Sequence, residues 1–164
     1  EILSGPGWTL YGSGNVGGSR RELATLKALA TRETKDGRPL IDDPRFRDRL
    51  TRVEIELDAL ELTSMRFLDK MRRSGQPPGA DVSMLKIRGT EIYQRISELT
   101  LEVQGAHASL RVSRATAHAS GSDAVALPGA IGVADTYFNL RKLSIFGGSN
   151  EIQRNILAKA VLGL

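Results

Sequence analysis

Apolar residues fall every three or four positions along Phe46, Leu50, Val53, Leu57, Leu60, Phe67 and Met71, with Ser64 as the one small polar member of the series. A repeat of that period puts all of them on one side of a helix. Its start is marked by Asp43 before Pro44, a capping carboxylate followed by a residue whose missing N–H costs nothing in a first turn. Its end is marked by Lys70, Arg72 and Arg73, cations suited to the negative pole of a helix, and by the turn-forming string "SGQPPG". The pattern predicts one long helix here. A second seam through Gly89, Ile92, Ile96, Leu99, Val103, Ala106 and Leu110 predicts another from about Asp81 to near Ala119, antiparallel to the first.

The flanks are shorter. Ser19-Arg-Arg-Glu22 has the spacing of a capping box, which predicts a helix from Ser19 to about Lys35, stopped by Asp36-Gly37. After the second seam "SGSDAVALPGAIGVADT" reads as a loop and "YFNLRKLSIF" as a short helix or irregular segment. Ser149 then caps a last helix with Ile152, Ile156 and Ala160 on one face. No run of strand length alternates with period two. The expected architecture is all-α, an up-and-down four-helix bundle.

That architecture decides the reading of Gly12, Gly14 and Gly17, which have the spacing of a dinucleotide-binding turn, with Glu33 and Asp36 downstream as ribose-binding candidates. Such a turn needs a parallel sheet beside it, and the pattern supplies none. The glycines are expected instead to let a helix start pass close to a neighbouring backbone.

The chain has 164 residues, the length of one domain, and no cysteine, which rules out disulfides and thiolate metal sites and favours a reducing compartment such as the cytoplasm. The net charge of +4 is spread over alternating acids and bases instead of a block, so no nucleic-acid surface is expected. The longest apolar run, "AVALPGAIGVA", is too short for a membrane span. Neither His107 nor His118 follows a glutamate by three residues, so the Glu-x-x-His pairs of a di-iron bundle are missing, and no metal site is expected. The first residue is Glu1, which suggests a piece of a longer polypeptide.

Gly147-Gly148-Ser149-Asn150 precedes a helix, so backbone amides, a hydroxyl and an amide gather at its positive end, as at an anion site. The same residues also make an ordinary cap. The whole string "LSIFGGSNEIQRNILAKAVLGL" resembles the C-terminal signature of acyl-CoA dehydrogenases. The resemblance extends back through "SMLKIRGTEIYQRISELTLEVQGAHA", similar to that family's third bundle helix, through "DGRPLIDDPRFRDRL", similar to the link into its second, and to "GPGWTL", similar to its entry from the middle domain.

The resemblance implies a single helical domain over residues 1–164, the C-terminal part of a chain that also has an N-terminal helical domain and a middle β domain. It implies FAD as cofactor, α,β-dehydrogenation of an acyl-CoA, assembly into a homo- or hetero-oligomer (dimer or tetramer), and an electron-transfer flavoprotein as redox partner. Cofactor-binding positions fall on Gly148, Ser149, Asn150 and Glu151. Others fall on Glu102, Val103, Gly105 and Ala106, which with Gln104 match a Gln-x-x-Gly-Gly motif that reaches the cofactor across a dimer interface. Here glutamate replaces the glutamine and alanine the second glycine. The family's Arg-x-x-Phe flavin motif has no counterpart, and Gly147 stands where many members carry the glutamate base. Residues 8–18, where other relatives place that base, hold no carboxylate. No catalytic residue is therefore assigned: either a base lies outside this chain, or the chain is a catalytically silent homologue that supports an active subunit.

Overall fold

The computed structural model describes residues 16–76, 79–109 and 132–163. They form five α-helices: α1 (Val16–Arg32), α2 (Pro44–Ser74), α3 (Ser83–Gln104), α4 (Val133–Leu140) and α5 (Asn150–Leu157). The all-α class stands. α3 packs against each of the other four, which explains why its buried residues include polar Lys86, Thr90, Ser97 and Gln104 as well as the expected apolar seam. The core joins Leu23, Leu26 and Ala30 of α1 to Phe46, Leu50, Val53, Leu57 and Leu60 of α2 and to Leu85, Ile92, Ile96, Leu99 and Val103 of α3.

α2 begins and ends as its sequence predicts. The Asp43 carboxylate accepts from the backbone N–H of Arg45 at 2.8 Å and of Phe46 at 3.1 Å, and Gly75 closes the helix in the left-handed conformation. The Phe46 amide foremost, then that of Arg45 and the Lys35 ammonium, hold the Asp43 carboxyl below its ordinary range. The cap's contribution is thus present above the ordinary aspartate pKa and lost as pH falls through the lowered one. Asp43→Ala is expected to lower the urea midpoint at neutral pH, and the gap to the wild type should close in acid; an unchanged gap at all pH values would count against the cap.

Three expectations are corrected. The capping box is not one: Val16 is already helical, so Ser19 sits inside α1, 1% exposed, with its hydroxyl unpartnered among the described residues. α1 also stops at Arg32 instead of Lys35. Asp36 and Gly37, both at positive φ (54° and 77°), form the two-residue turn of a hairpin that pairs Thr34 with Pro39 and Lys35 with Arg38. An Asp-Gly pair fits this turn type, which needs left-handed backbone at both positions. Third, α3 ends at Gln104. Gly105, at φ 52° and ψ −132°, breaks it, and a 3₁₀ turn over Gly105–Ser109 follows. The apolar spacing continues through Val103 and Ala106, so periodicity alone cannot register the break.

"YFNLRKLSIF" resolves into the end of α4 and a 3₁₀ turn over Arg141–Ser144. The hairpin is the only strand pairing among the described residues, so no sheet serves Gly17, which lies in α1. Gly12, Gly14, Leu110, His118 and the proposed loop up to residue 131 lie outside the described residues. No described helix is long and apolar enough to cross a membrane.

Candidate functional site

The loop before α5 is held in place from beneath. Asn150, only 4% exposed, accepts from the Lys86 Nζ at 2.7 Å and donates its amide to the Thr90 hydroxyl at 3.3 Å. Both partners come from α3, some sixty residues earlier. Lys86 is itself 7% exposed, and burial lowers its pKa, opposed by the nearby Glu151 carboxylate. Beside it, buried Gln153 donates its Nε2 to the Gly147 carbonyl at 3.3 Å. The last helix therefore presents Asn150 and Gln153 to the bundle, while Ile152 is 52% exposed and Ala160 is also exposed. Of the three residues expected on one face, Ile156 is half-buried, so that face turns only in part toward the bundle.

The glycines follow from this anchoring. Gly147 and Gly148 have φ of 68° and 86°, a region that side chains rarely adopt, and a Cβ on Gly148 would come within 2.6 Å of the Gln153 Nε2. At Gly147 a Cβ would meet nothing within 4 Å, so that position is open.

The upper face of the loop carries polar groups that are already arranged. The Ser149 hydroxyl caps α5 by accepting from the Ile152 N–H at 3.4 Å. The Glu151 carboxylate is held below its ordinary pKa chiefly by its own backbone N–H, then by the Ser149 hydroxyl. The positive end of α5 thus already faces a carboxylate from its own chain. As built, the site offers acceptors to a hydroxyl or amino group more readily than donors to a phosphate. Exposed Ile145 and Phe146 flank the same loop.

The second candidate cluster lies at the far end of α3. Glu102, Gly105 and Ala106 are exposed there, whereas Val103 points into the core. Glu102 is ion-paired with Arg49 of α2, so its charge is balanced within the chain. Gln104, 1% exposed, has neither amide atom partnered among the described residues. Glu102 lies about 24 Å from Lys86 by helical rise, so one copy does not bring the two clusters together.

The segment between α4 and α5 is tied to α3 as well. Arg141 donates to the Gln94 carbonyl at 3.0 Å and the Ser97 hydroxyl at 2.9 Å, and its guanidinium lies 4.4 Å from the Tyr137 ring centre. On the surface, Arg154 of α5 pairs with Glu91, which also pairs with Arg88; Arg88 and Arg95 both reach Glu56 of α2. Sequence patterning gives no reason to single out Lys86 or Thr90, whose roles depend on what reaches them from the other end of the chain.

A helical bundle whose last helix is pinned to its third, with a Gly-Gly-Ser loop left facing outward, defines a domain class. The family model for "Acyl-CoA dehydrogenase, C-terminal domain" matches residues 9–162, and the chain belongs to the acyl-CoA dehydrogenase family. It is 31% identical over 148 residues to "Acyl-CoA dehydrogenase IpdE1" of Mycobacterium tuberculosis, covering 88% of this chain and 32% of that protein. It is 30% identical over 135 residues to "Acyl-CoA dehydrogenase FadE26" of the same organism, covering 80% and 31%. Among solved structures it resembles the ChsE4-ChsE5 complex from Mycobacterium tuberculosis, with TM-score 0.65 and 28% identity over 89% of this chain and 35% of that one. The fold also matches PigA with FAD and proline, with TM-score 0.68 and 23% identity over 91% and 34%. The chain spans about a third of the length of these relatives.

Proposed function

We propose that this chain is a single helical domain forming the C-terminal part of an FAD-dependent acyl-CoA dehydrogenase, in which it contributes part of the flavin site and an oligomer interface. The observation that carries this reading is the anchored loop from Gly147 to Glu151, in a chain that belongs to the family. The residues fit a flavin nucleotide: Gly148 lets the backbone turn, and Ser149 and Glu151 present acceptors that suit ribose hydroxyls. Arg49 balances Glu102, whose carboxylate would otherwise repel a phosphate. Asn150 and Val103 are buried, so their part is support. When bound, FAD would accept the hydride that leaves the acyl β-carbon; an electron-transfer flavoprotein would then reoxidise it.

Because the two clusters lie at opposite ends of α3, we assign Glu102, Gly105 and Ala106 to the cofactor of a neighbouring copy. The open Gly147 favours a second reading, in which the chain belongs to a silent subunit of a hetero-oligomer. The ChsE4-ChsE5 assembly, which this chain resembles in fold, is a complex of two components.

The test is flavin retention. The complete protein is expected to leave gel filtration yellow, and Ser149→Ala combined with Glu151→Gln to carry less flavin, with helical circular dichroism unchanged. The 164-residue chain alone should be helical and colourless. Full flavin content in the double variant, or a stoichiometric flavin on the isolated chain, would overturn the assignment.

A further inference from the structure

The amide of Gln153, buried on the first turn of α5, does two things at once. Its Nε2 donates to the Gly147 carbonyl at 3.3 Å, and the same atom fills the space of a side chain at position 148, where a Cβ would come within 2.6 Å of it. The reverse orientation of the amide would set two carbonyl oxygens against each other.

The peptide joining Gly147 to Gly148 is trans, so its carbonyl and its N–H point in opposite directions. With the Gly147 carbonyl drawn in toward Gln153, the Gly148 N–H is turned away from it, on a stretch where both glycines are exposed. That N–H has no hydrogen-bond partner among the described residues.

This donor completes what its neighbours begin. The Ser149 hydroxyl is already engaged, accepting from the Ile152 N–H and donating to Glu151. The Glu151 carboxylate, folded back onto its own N–H and that hydroxyl, still has acceptor capacity. A ligand hydroxyl both gives and takes a hydrogen bond, so Glu151 can accept its proton while the Gly148 N–H binds its oxygen. We infer that Gln153, without touching the cofactor, is a positioning residue of the flavin site: it turns the Gly147–Gly148 peptide so that the Gly148 N–H donates to a hydroxyl of the bound flavin nucleotide. The inference rests on the flavin reading proposed above and adds the residue that aims the loop.

The test uses the complete protein, stripped of flavin and titrated with FAD. Gln153→Met, close in size but without a donor, is expected to raise the flavin dissociation constant about three- to tenfold at every pH, the worth of one hydrogen bond, with helical circular dichroism unchanged. Gln153→Glu should respond to pH. Burial raises the pKa of the new carboxyl; protonated, it donates to the Gly147 carbonyl as the amide does, and ionised, it repels that carbonyl. Its affinity should approach the wild-type value in acid and fall as pH rises through the raised pKa. The wild type, with the same Lys86, Glu91, Glu151 and Arg154 around the loop, is the control. Gly148→Ala meets the Gln153 amide in the wild type but not once Gln153→Ala has emptied the space, so the two losses of affinity should be less than additive. Wild-type affinity in Gln153→Met, a Gln153→Glu profile parallel to that of the wild type, or strictly additive losses would each overturn the inference. A wild-type protein that takes up no FAD would instead overturn the flavin reading beneath it.

Discussion

Mixed anaerobically with a saturated acyl-CoA, a flavoprotein in which this chain is the only bundle subunit is expected to lose its flavin absorbance very slowly. Removal of an α-proton needs a carboxylate within hydrogen-bond reach, and Gly147 has no side chain to offer. Positioned general-base catalysis contributes about 10² to 10⁴ in rate, so reduction should fall short by that factor even with acyl-CoA fully bound. Gly147→Glu should recover part of it. The open space around a Cβ at this position gives the new side chain room, whereas the left-handed backbone opposes it by roughly 1–2 kcal/mol. Coexpression with a homologous subunit bearing a glutamate at that place should recover more. Stopped-flow reduction at full rate in a homogeneous preparation would exclude the silent-subunit reading and direct the search to a base elsewhere in the complete protein.

The second large effect belongs to Asn150. Asn150→Ala removes the acceptor from the buried Lys86 ammonium, and a charged donor left without its partner costs about 3 kcal/mol or more. Burial already lowers the Lys86 pKa, so between that lowered value and the ordinary lysine range the unfolded chain binds more protons and stability rises with pH. The deficit of Asn150→Ala should therefore shrink in alkaline buffer. Adding Lys86→Met should return much of the lost stability at neutral pH, because the unpaired charge is then gone. Urea titrations of the single and double variants form a thermodynamic cycle; strictly additive losses, with no dependence on pH, would mean that Lys86 and Asn150 do not act as a pair.

These effects mark where sequence patterning works and where it stops. The extent of α2 is legible directly, because its cap, its apolar seam and its terminal cations are all local and agree. The Ser149 cap is legible for the same reason. Ser19 misleads because a capping box is a four-residue signature, and nothing within those residues reveals that the helix begins earlier. The break at Gly105 is hidden by an apolar rhythm that continues through Ala106. Periodicity does not locate the inner face of the last helix, because its apolar residues are the periodic ones, whereas its position is set by polar partners some sixty residues away. The candidate positions Gly148, Ser149 and Glu151 come from resemblance, but the groups that hold their loop, Lys86, Thr90 and Gln153, emerge only in three dimensions.

Because α5 meets the bundle through Asn150 and Gln153, its attachment is strong in direction and weak in hydrophobic area. The three longer helices share the apolar core, whereas the buried residues of the last helix are the polar Asn150 and Gln153, so its seat is fixed by hydrogen bonds to α3 and to its own loop. A cofactor or neighbouring subunit that covers the Gly147–Glu151 loop would stabilise the arrangement in which those bonds are made.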